Sequence, residues 1–205
     1  MNLVQMRTML RRNVQDVASV QWSDAECNEA LNMAYHMIQG EIQIVAPESL
    51  ITWDYMNIVS GTNWYPLPPS FGIVAVSLRA STADPYVKLT HKIYEDIVGL
   101  DTGYTQYYTI RGEWIGIFPA PTANVSLGIE LMHVSIHSLA DDNEVAKIKL
   151  PLHLAIVLQA QIILLGDTSE DTKISEGKYQ KLMGSIPKWY GHHYDDVMAF
   201  SPRGI

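Results

Sequence analysis

The stretch LHLAIVLQAQIILL, residues 152–165, is the strongest structural signal in this chain. As a helix it is apolar almost all round, so every side needs cover, either from the chain's own fold or from a neighbouring subunit. The uncharged run around it lies between Lys149 and Asp167, contains Pro151 and His153, and falls short of the ~20 apolar residues that span a bilayer. We therefore predict a buried helix at the centre of a helical layer and no contact with a membrane.

Helical periodicity is also present at both ends of the chain. Near the start, apolar residues recur every three or four positions, at Leu3, Met6, Leu10, Val14 and Val17. Ser23 followed by Glu26 has the form of a capping box and begins a second helix, which Pro47 ends. A further helix is predicted over residues 170–186.

Residues 50–137 have a different composition, rich in β-branched and aromatic residues and punctuated by glycine and proline. Short strands are predicted at 55–59, 64–67, 73–78, 107–111, 114–118 and 126–134. The sequence Arg111-Gly112-Glu113 marks a tight hairpin, because Gly112 can adopt positive φ. Residues 92–98 are expected to form one short helix.

Together these segments predict an α+β fold in three parts. Residues 1–49 and 138–190 form a helical bundle, residues 50–137 form an inserted antiparallel β lobe, and residues 191–205 form an extended C-terminal tail. The tail has no periodicity but keeps apolar and aromatic residues, so it either docks on a neighbour or folds back on its own bundle. Its candidate docking residues are Tyr194, Val197, Met198, Phe200 and Arg203.

The charge balance disfavours one class of function. The 205 residues carry a formal net charge of −8, spread evenly along the chain. Binding to nucleic acid through its phosphates needs clustered Lys and Arg, so we do not expect sequence-specific DNA binding. The single cysteine, Cys27, forms no internal disulfide, and residues 1–12 lack the apolar block of a secretion signal, so a secreted, disulfide-stapled protein is not expected.

The sequence offers no catalytic motif. It contains no GxSxG, Walker or GxGxxG pattern, and Cys27 lies on the apolar face of a helix, where a buried thiol is expected. His133, His137 and His153 suggest a metal-dependent hydrolase, but ligands four apart meet on a helix, whereas residues 126–134 alternate like a strand. We therefore predict no enzyme activity and no catalytic, cofactor-binding or metal site, with the hydrolase kept as an alternative.

Two clusters suggest contacts with partners. Arg7, Arg11 and Arg12 form a basic stripe on the first helix, which is either a solvated face or a surface for an acidic partner. A second cluster is aromatic and is either sheet packing or a platform for a glycan: Tyr104, Tyr107, Tyr108 and Trp114.

Several short motifs occur in an order that resembles one protein family. They are 3–6 (LVQM), 22–26 (WSDAE), 28–35, 59–68 (VSGTNWYPLP) leading to Phe71, 115–121 (IGIFPAP), Leu150-Pro151 and Lys178-Tyr179. None of these motifs is catalytic, and their order and spacing carry the likeness. Over roughly residues 1–190 the chain resembles the head-to-tail adaptor, or connector, proteins of tailed bacteriophages, and in particular podovirus-like ones.

That resemblance implies a structural role in the virion neck. Such proteins form a ring, usually of twelve copies, which attaches beneath the portal, joins the capsid to a tail nozzle or tail tube protein, and is assembled in the host cytoplasm. The ring continues the channel for genome retention and ejection, through which double-stranded DNA passes without sequence-specific binding. The resemblance also implies that the helical lobe surrounds the channel, that the β lobe lies outward, and that residues 191–205 reach the portal. The alternative is a tail or neck module that binds glycans through the aromatic platform.

Overall fold

The computed structural model describes residues 1–97, 99, 103–166 and 170–190, which fall into two compact units. A helical unit contains Met1–Leu50 and, of the described residues, 136–190, and a β unit contains Ile51–Ser135. The mixed α+β class predicted from the sequence is confirmed. The tail predicted over residues 191–205 lies outside the described residues.

Five helices form the described part of the helical unit. They are α1 (Leu3–Asn13), α2 (Asp24–Val45), α3 (Leu150–Leu165), α4 (Glu170–Met183) and α5 (Ile186–Tyr190), with a 3-10 turn at Pro47–Leu50. The capping box before α2 is confirmed, because the Ser23 hydroxyl accepts the N–H of Glu26 and the Glu26 carboxylate accepts the N–H of Ser23.

Two helix boundaries differ from those predicted. The first helix ends at Asn13, because Gln15 adopts a positive φ of 58° and turns the chain, and Val17 is 71% exposed instead of lining the apolar face. The single helix expected at 170–186 is two helices, α4 and α5, separated by a turn in which Gly184 donates its N–H to the carbonyl of Gln180.

Most of the apolar helix α3 is covered by its own unit. It packs against α1, α2 and α4, and Ala155, Ile156, Val157 and Ala160 are completely buried. Leu150 at its first turn is exposed. Among the described residues, no helix is both long and apolar enough to cross a membrane.

Two side-chain amides on α2 bind the segment that returns from the β unit. Asn32 accepts the N–H of Leu139 at 2.7 Å and donates to its carbonyl at 3.0 Å. Two turns further along the helix, Gln39 accepts the N–H of His137 and donates to its carbonyl, both at 2.8 Å. Each amide therefore supplies a donor and an acceptor to an otherwise irregular segment, as a neighbouring strand would.

The β unit consists of short strands in two four-stranded sheets, within the part of residues 51–135 that the structure describes. The strands are β1 (Ile51–Ile58), β2 (Trp64–Pro66), β3 (Ser70–Leu78), β4 (Val87–Lys88), β5 (Thr90–His91), β6 (Tyr107–Arg111), β7 (Trp114–Phe118) and β8 (Val125–Ser135). The first sheet has the order β1-β8-β3-β4 and the second has the order β2-β7-β6-β5. Buried residues from both sheets form one core: Ile58, Tyr65, Val76, Leu89, Tyr108, Ile115, Ile117, Val125, Ile129 and Leu131.

The predicted hairpin is confirmed. Arg111 pairs with Trp114, and Gly112 between them has a φ of 59°. The lobe is not purely antiparallel, however, because the unpredicted strand β5 pairs with β6 in parallel over two residues. The helix expected at 92–98 is a single 3-10 turn, Tyr94–Asp96.

Candidate functional site

An ion-pair network around Arg11 closes the loop between α1 and α2, residues 14–22. The Arg11 guanidinium lies 3.0 Å from Asp16 Oδ2 and 2.6 Å from Asp24 Oδ1, and it donates to the carbonyl of Trp22 at 2.9 Å. The hydrogen bond from Arg11 lowers the pKa of Asp24 below its ordinary value. Arg11 and Asp16 are 7% and 6% exposed, whereas the side chain of Asp24 is 63% exposed, so the network extends from the interior of the helical unit to its surface.

The Asp16 carboxylate organises the same loop from within. It accepts the backbone N–H groups of residues 20, 21 and 22 at 2.8–3.0 Å, in addition to the Arg11 guanidinium. The backbone hydrogen bonds lower the pKa of Asp16, since they favour its ionised form. One carboxylate therefore fixes the path of the second half of the loop.

The outer part of the 14–22 loop is strained and exposes apolar side chains. Gln15 and Ser19 are non-glycine residues at φ 58° and 55°, conformations that persist only where surrounding contacts hold them. Val17 and Val20 are 71% and 85% exposed. The loop thus presents two valines on a backbone held in place by the Arg11 network.

The basic stripe predicted on the first helix needs a correction. Arg11 is buried in its ion pairs, and Arg7 is largely covered while its guanidinium contacts Asn28 at 3.0 Å and Asp142 at 3.2 Å. Both guanidinium groups bind carboxylates of their own unit, so the stripe is not available to a partner as a whole. Arg12 is exposed.

One face of α2 exposes apolar residues at helical spacing. Met33, Met37 and Ile44 are 50%, 49% and 78% exposed, and Gly40 lies between them on the same face. A Cβ at Gly40 would have no atom within 4 Å, so packing inside this chain does not require glycine there. A surface of this kind is typical of a contact with another protein.

The four aromatic residues proposed as a glycan platform do not share a face. Tyr108 is 8% exposed and belongs to the core, whereas its neighbour Tyr107 points to the other side of β6, with the Lys92 ammonium 4.2 Å from its ring. Tyr104 is 88% exposed in the segment before the strand, and Trp114 lies on β7. The four residues therefore do not form one platform, because Tyr108 lies in the core, whereas the register of β6 and β7 places Tyr107 and Trp114 on the same face of the sheet.

A different aromatic cleft is present on the second sheet. Trp64, Tyr94, Arg111 and Trp114 line an open cavity of about 350 Å³. The Trp64 and Tyr94 rings are 5.8 Å apart, and the Arg111 guanidinium lies 5.6 Å from the centre of the Tyr94 ring. Trp114, opposite Arg111 on the hairpin, is 50% exposed. We call this site the aromatic cleft.

Gly116 lets the floor of the aromatic cleft form. It pairs with Trp64 across β2 and β7, and a Cβ built on it would lie 2.8 Å from Trp64 Cζ3 and 2.8 Å from Phe118 Cε2. These separations are too short for any side chain, so the indole lies directly over the bare backbone.

Two of the three histidines proposed as metal ligands contact other groups of the protein. His133 Nε2 is 3.0 Å from Asp54 Oδ2, and His153 Nε2 is 3.0 Å from the carbonyl of Ile148. Burial lowers the pKa of His153. The described residues contain no group of three or more His, Cys, Asp or Glu side chains arranged to hold a metal ion.

The predicted docking residues of the tail lie outside the described residues. They are Tyr194, Val197, Met198, Phe200 and Arg203.

The model of one protein family, described as the SU10 adaptor protein, matches residues 1–200. The chain belongs to the SU10 adaptor protein family. This confirms the resemblance to phage head-to-tail adaptors and makes the protein a bacteriophage structural adaptor, a virion component at the junction of capsid and tail. No curated protein matches the chain significantly.

The aromatic cleft of this adaptor was missed by the sequence analysis. Its residues come from β2, the 3-10 turn and the β6–β7 hairpin, so their approach depends on strand pairing that no local pattern gives. One signal was available, because the predicted hairpin places Arg111 directly opposite Trp114.

Proposed function

We propose that the protein forms a ring of twelve copies beneath the portal of a podovirus-like phage and joins it to a tail nozzle or tail tube protein. The observation that carries the proposal is the match to the adaptor family along residues 1–200, nearly the whole chain. The protein acts by assembly and not by catalysis, and its ring assembles onto the portal in the host cytoplasm.

The exposed face of α2 supports a multimeric state. Met33, Met37 and Ile44 leave apolar surface in water, and burying such surface is favourable by ~25 cal/mol per Å². Methionine side chains adapt to irregular partner surfaces. In a ring each copy covers such a face on its neighbour through a heterologous contact that rotation closes.

The charge of the chain supports a channel role. With a net charge of −8 per copy, a closed ring carries a strongly negative field that repels the DNA backbone. Repulsion prevents tight phosphate contacts, so double-stranded DNA passes during ejection without sequence-specific binding.

Residues 191–205 are the proposed portal-docking tail, with Tyr194, Val197, Met198, Phe200 and Arg203 as contacts. Their apolar and aromatic side chains are suited to fill pockets on a partner. Arg12, the exposed member of the basic stripe, is a proposed contact for an acidic partner surface.

Native mass spectrometry of the full chain mixed with the portal protein from the same phage tests this function. We expect a complex of one portal ring with about a dozen adaptor copies, the number that the resemblance to head-to-tail adaptors implies, arranged as a closed ring. A variant ending at Tyr190 serves as the matched control and is expected to lose binding while keeping its helical circular dichroism. If the full chain forms no complex at micromolar concentration, the proposal is wrong, and undiminished binding of the shortened variant refutes the tail assignment.

A further inference from the structure

The aromatic cleft contains a cation without an anionic partner. Arg111 is exposed, and within the described residues no carboxylate lies within 4 Å of its guanidinium, which stacks on Tyr94. A stacked guanidinium keeps its in-plane N–H groups free for a carboxylate. The cleft is therefore prepared to receive a negative charge.

The aromatic residues of the cleft indicate which chemical group of a ligand should lie next to the negative charge. Trp64, Tyr94 and Trp114 present aromatic surfaces, and grooves lined by such rings bind proline because the rigid pyrrolidine packs flat at low entropic cost. A peptide carrying an acidic residue next to a proline matches both the guanidinium and the rings.

The chain itself displays such a dipeptide on the loop between β3 and β4. Asp84 and Pro85 are both exposed, and in the described structure Asp84 has no ion pair. We call their loop, residues 79–86, the acidic loop after Asp84, its single acidic side chain.

Hydrogen bonds brace the acidic loop at both of its ends. The Arg79 guanidinium donates to the carbonyls of Thr82 at 3.1 Å and Ser126 at 2.9 Å and stacks on Tyr86 at 5.0 Å. The Tyr86 hydroxyl donates to the carbonyl of Leu127 at 2.6 Å. Asp84 and Pro85 are thus presented on a fixed support, which lowers the entropic cost of binding.

The acidic loop and the aromatic cleft belong to different sheets of the β unit, the loop to β3 and β4 and the cleft to β2, β6 and β7. Both are exposed, so the loop does not occupy the cleft of its own copy. We propose that the acidic loop of one copy binds the aromatic cleft of the next, with Asp84 on the Arg111 guanidinium and Pro85 against the indole rings. The contact is heterologous and can repeat around a ring; this inference rests on the proposed adaptor function.

Charge reversal tests the pairing. Arg111→Glu and Asp84→Lys are each expected to raise the adaptor concentration needed for half-saturation of the portal by about tenfold or more, because like charges then meet at every interface. Combining both on one chain restores the complementary pair and is expected to return that concentration to near the original value. Lys88→Glu, an exposed cation on β4 outside the cleft, is the matched control and should change little. Thermal unfolding checks that every variant is folded.

Cross-linking tests the same contact without the portal. A short bis-maleimide is added to a concentrated equimolar mixture of Asp84→Cys and Arg111→Cys chains, in which the native Cys27 is completely buried and its pKa is raised by burial. We expect dimers in the mixture, little product from either chain alone, and a ladder from the double-cysteine chain.

The outcomes separate this contact from the proposed function. Unchanged portal saturation by both single variants overturns the contact while leaving the adaptor role intact. Loss in both without rescue by the double variant also overturns it, since the cleft then binds another protein. Failure of the unaltered chain to bind the portal refutes the proposed function. The contact between copies is then tested by cross-linking alone, and the absence of cross-linked dimers overturns the contact.

Discussion

Replacing Asn32 by leucine should destabilise the helical unit, because it removes both hydrogen bonds that α2 makes with Leu139. The residue left behind is 3% exposed, so its N–H and carbonyl would lose their partners in a nearly dry environment. Each buried polar group left unpaired costs about 1–3 kcal/mol. Leucine recovers a few tenths of a kcal/mol through its better helix propensity.

Two unpaired groups, less the few tenths recovered through helix propensity, give a net loss for Asn32→Leu of about 2–5 kcal/mol in the free energy of unfolding. For a chain of this size that corresponds to a fall in the melting temperature of about 4–20 °C. The assay is urea unfolding followed by helical circular dichroism, with thermal unfolding as a second measurement.

Gln43→Leu provides the control for this experiment. Its amide also lies on α2, but it makes no hydrogen bond within the described chain, so the same chemical change should alter stability by less than about 0.5 kcal/mol. An Asn32→Leu variant as stable as Gln43→Leu would refute the claim that the amide pairing holds the returning segment.

Three further predictions concern other groups. Tyr35 is completely buried, and burial raises its pKa to about 12. Because an unfolded tyrosine titrates at about pH 10, the stabilisation from burying the neutral phenol is complete below pH about 10 and is lost as pH rises toward 12. Ultraviolet titration of Tyr35→Phe should lack the phenolate transition that occurs at the highest pH. Folding lowers the pKa of Asp16, so its ionised carboxylate stabilises the protein above the unfolded pKa of about 4, and this stabilisation disappears as pH falls through the lower folded pKa. In Asp16→Asn the free energy of unfolding should therefore fall less steeply at acid pH. An unchanged acid dependence would contradict this. Gly116→Ala should displace Trp64, change tryptophan fluorescence and cost about 1–3 kcal/mol, whereas Gly72→Ala, where a Cβ meets nothing within 4 Å, should leave fluorescence unchanged.

The elements that the sequence predicted well are those fixed by local interactions. The α2 boundary follows from a capping box within four residues, and the strands β6 and β7 follow from a glycine hairpin between two apolar segments. The strands β4 and β5 have two residues each, too few to show any alternation of apolar and polar residues. They form only because longer strands provide their hydrogen-bonding partners.

The candidate sites were harder to predict because they depend on distant contacts. Arg11 has the spacing of a surface residue, and only the approach of Asp16 and Asp24 makes its burial favourable. That approach requires positive φ at Gln15 and Ser19, which neither residue type indicates. Tyr108 is in the core because the second sheet packs against the first, and such tertiary packing cannot be read from the composition.

In the 14–22 loop, the residues that fix the backbone are different from those that form the outer surface. The backbone path is set by inward-facing groups, Asp16 and Arg11, while Val17 and Val20 contribute little to holding it. Substitutions at the two valines can therefore change what the loop presents and leave its backbone in place. Related chains could diverge at this tip to suit different neighbours, and a designer could graft a new recognition sequence there with the framework residues untouched.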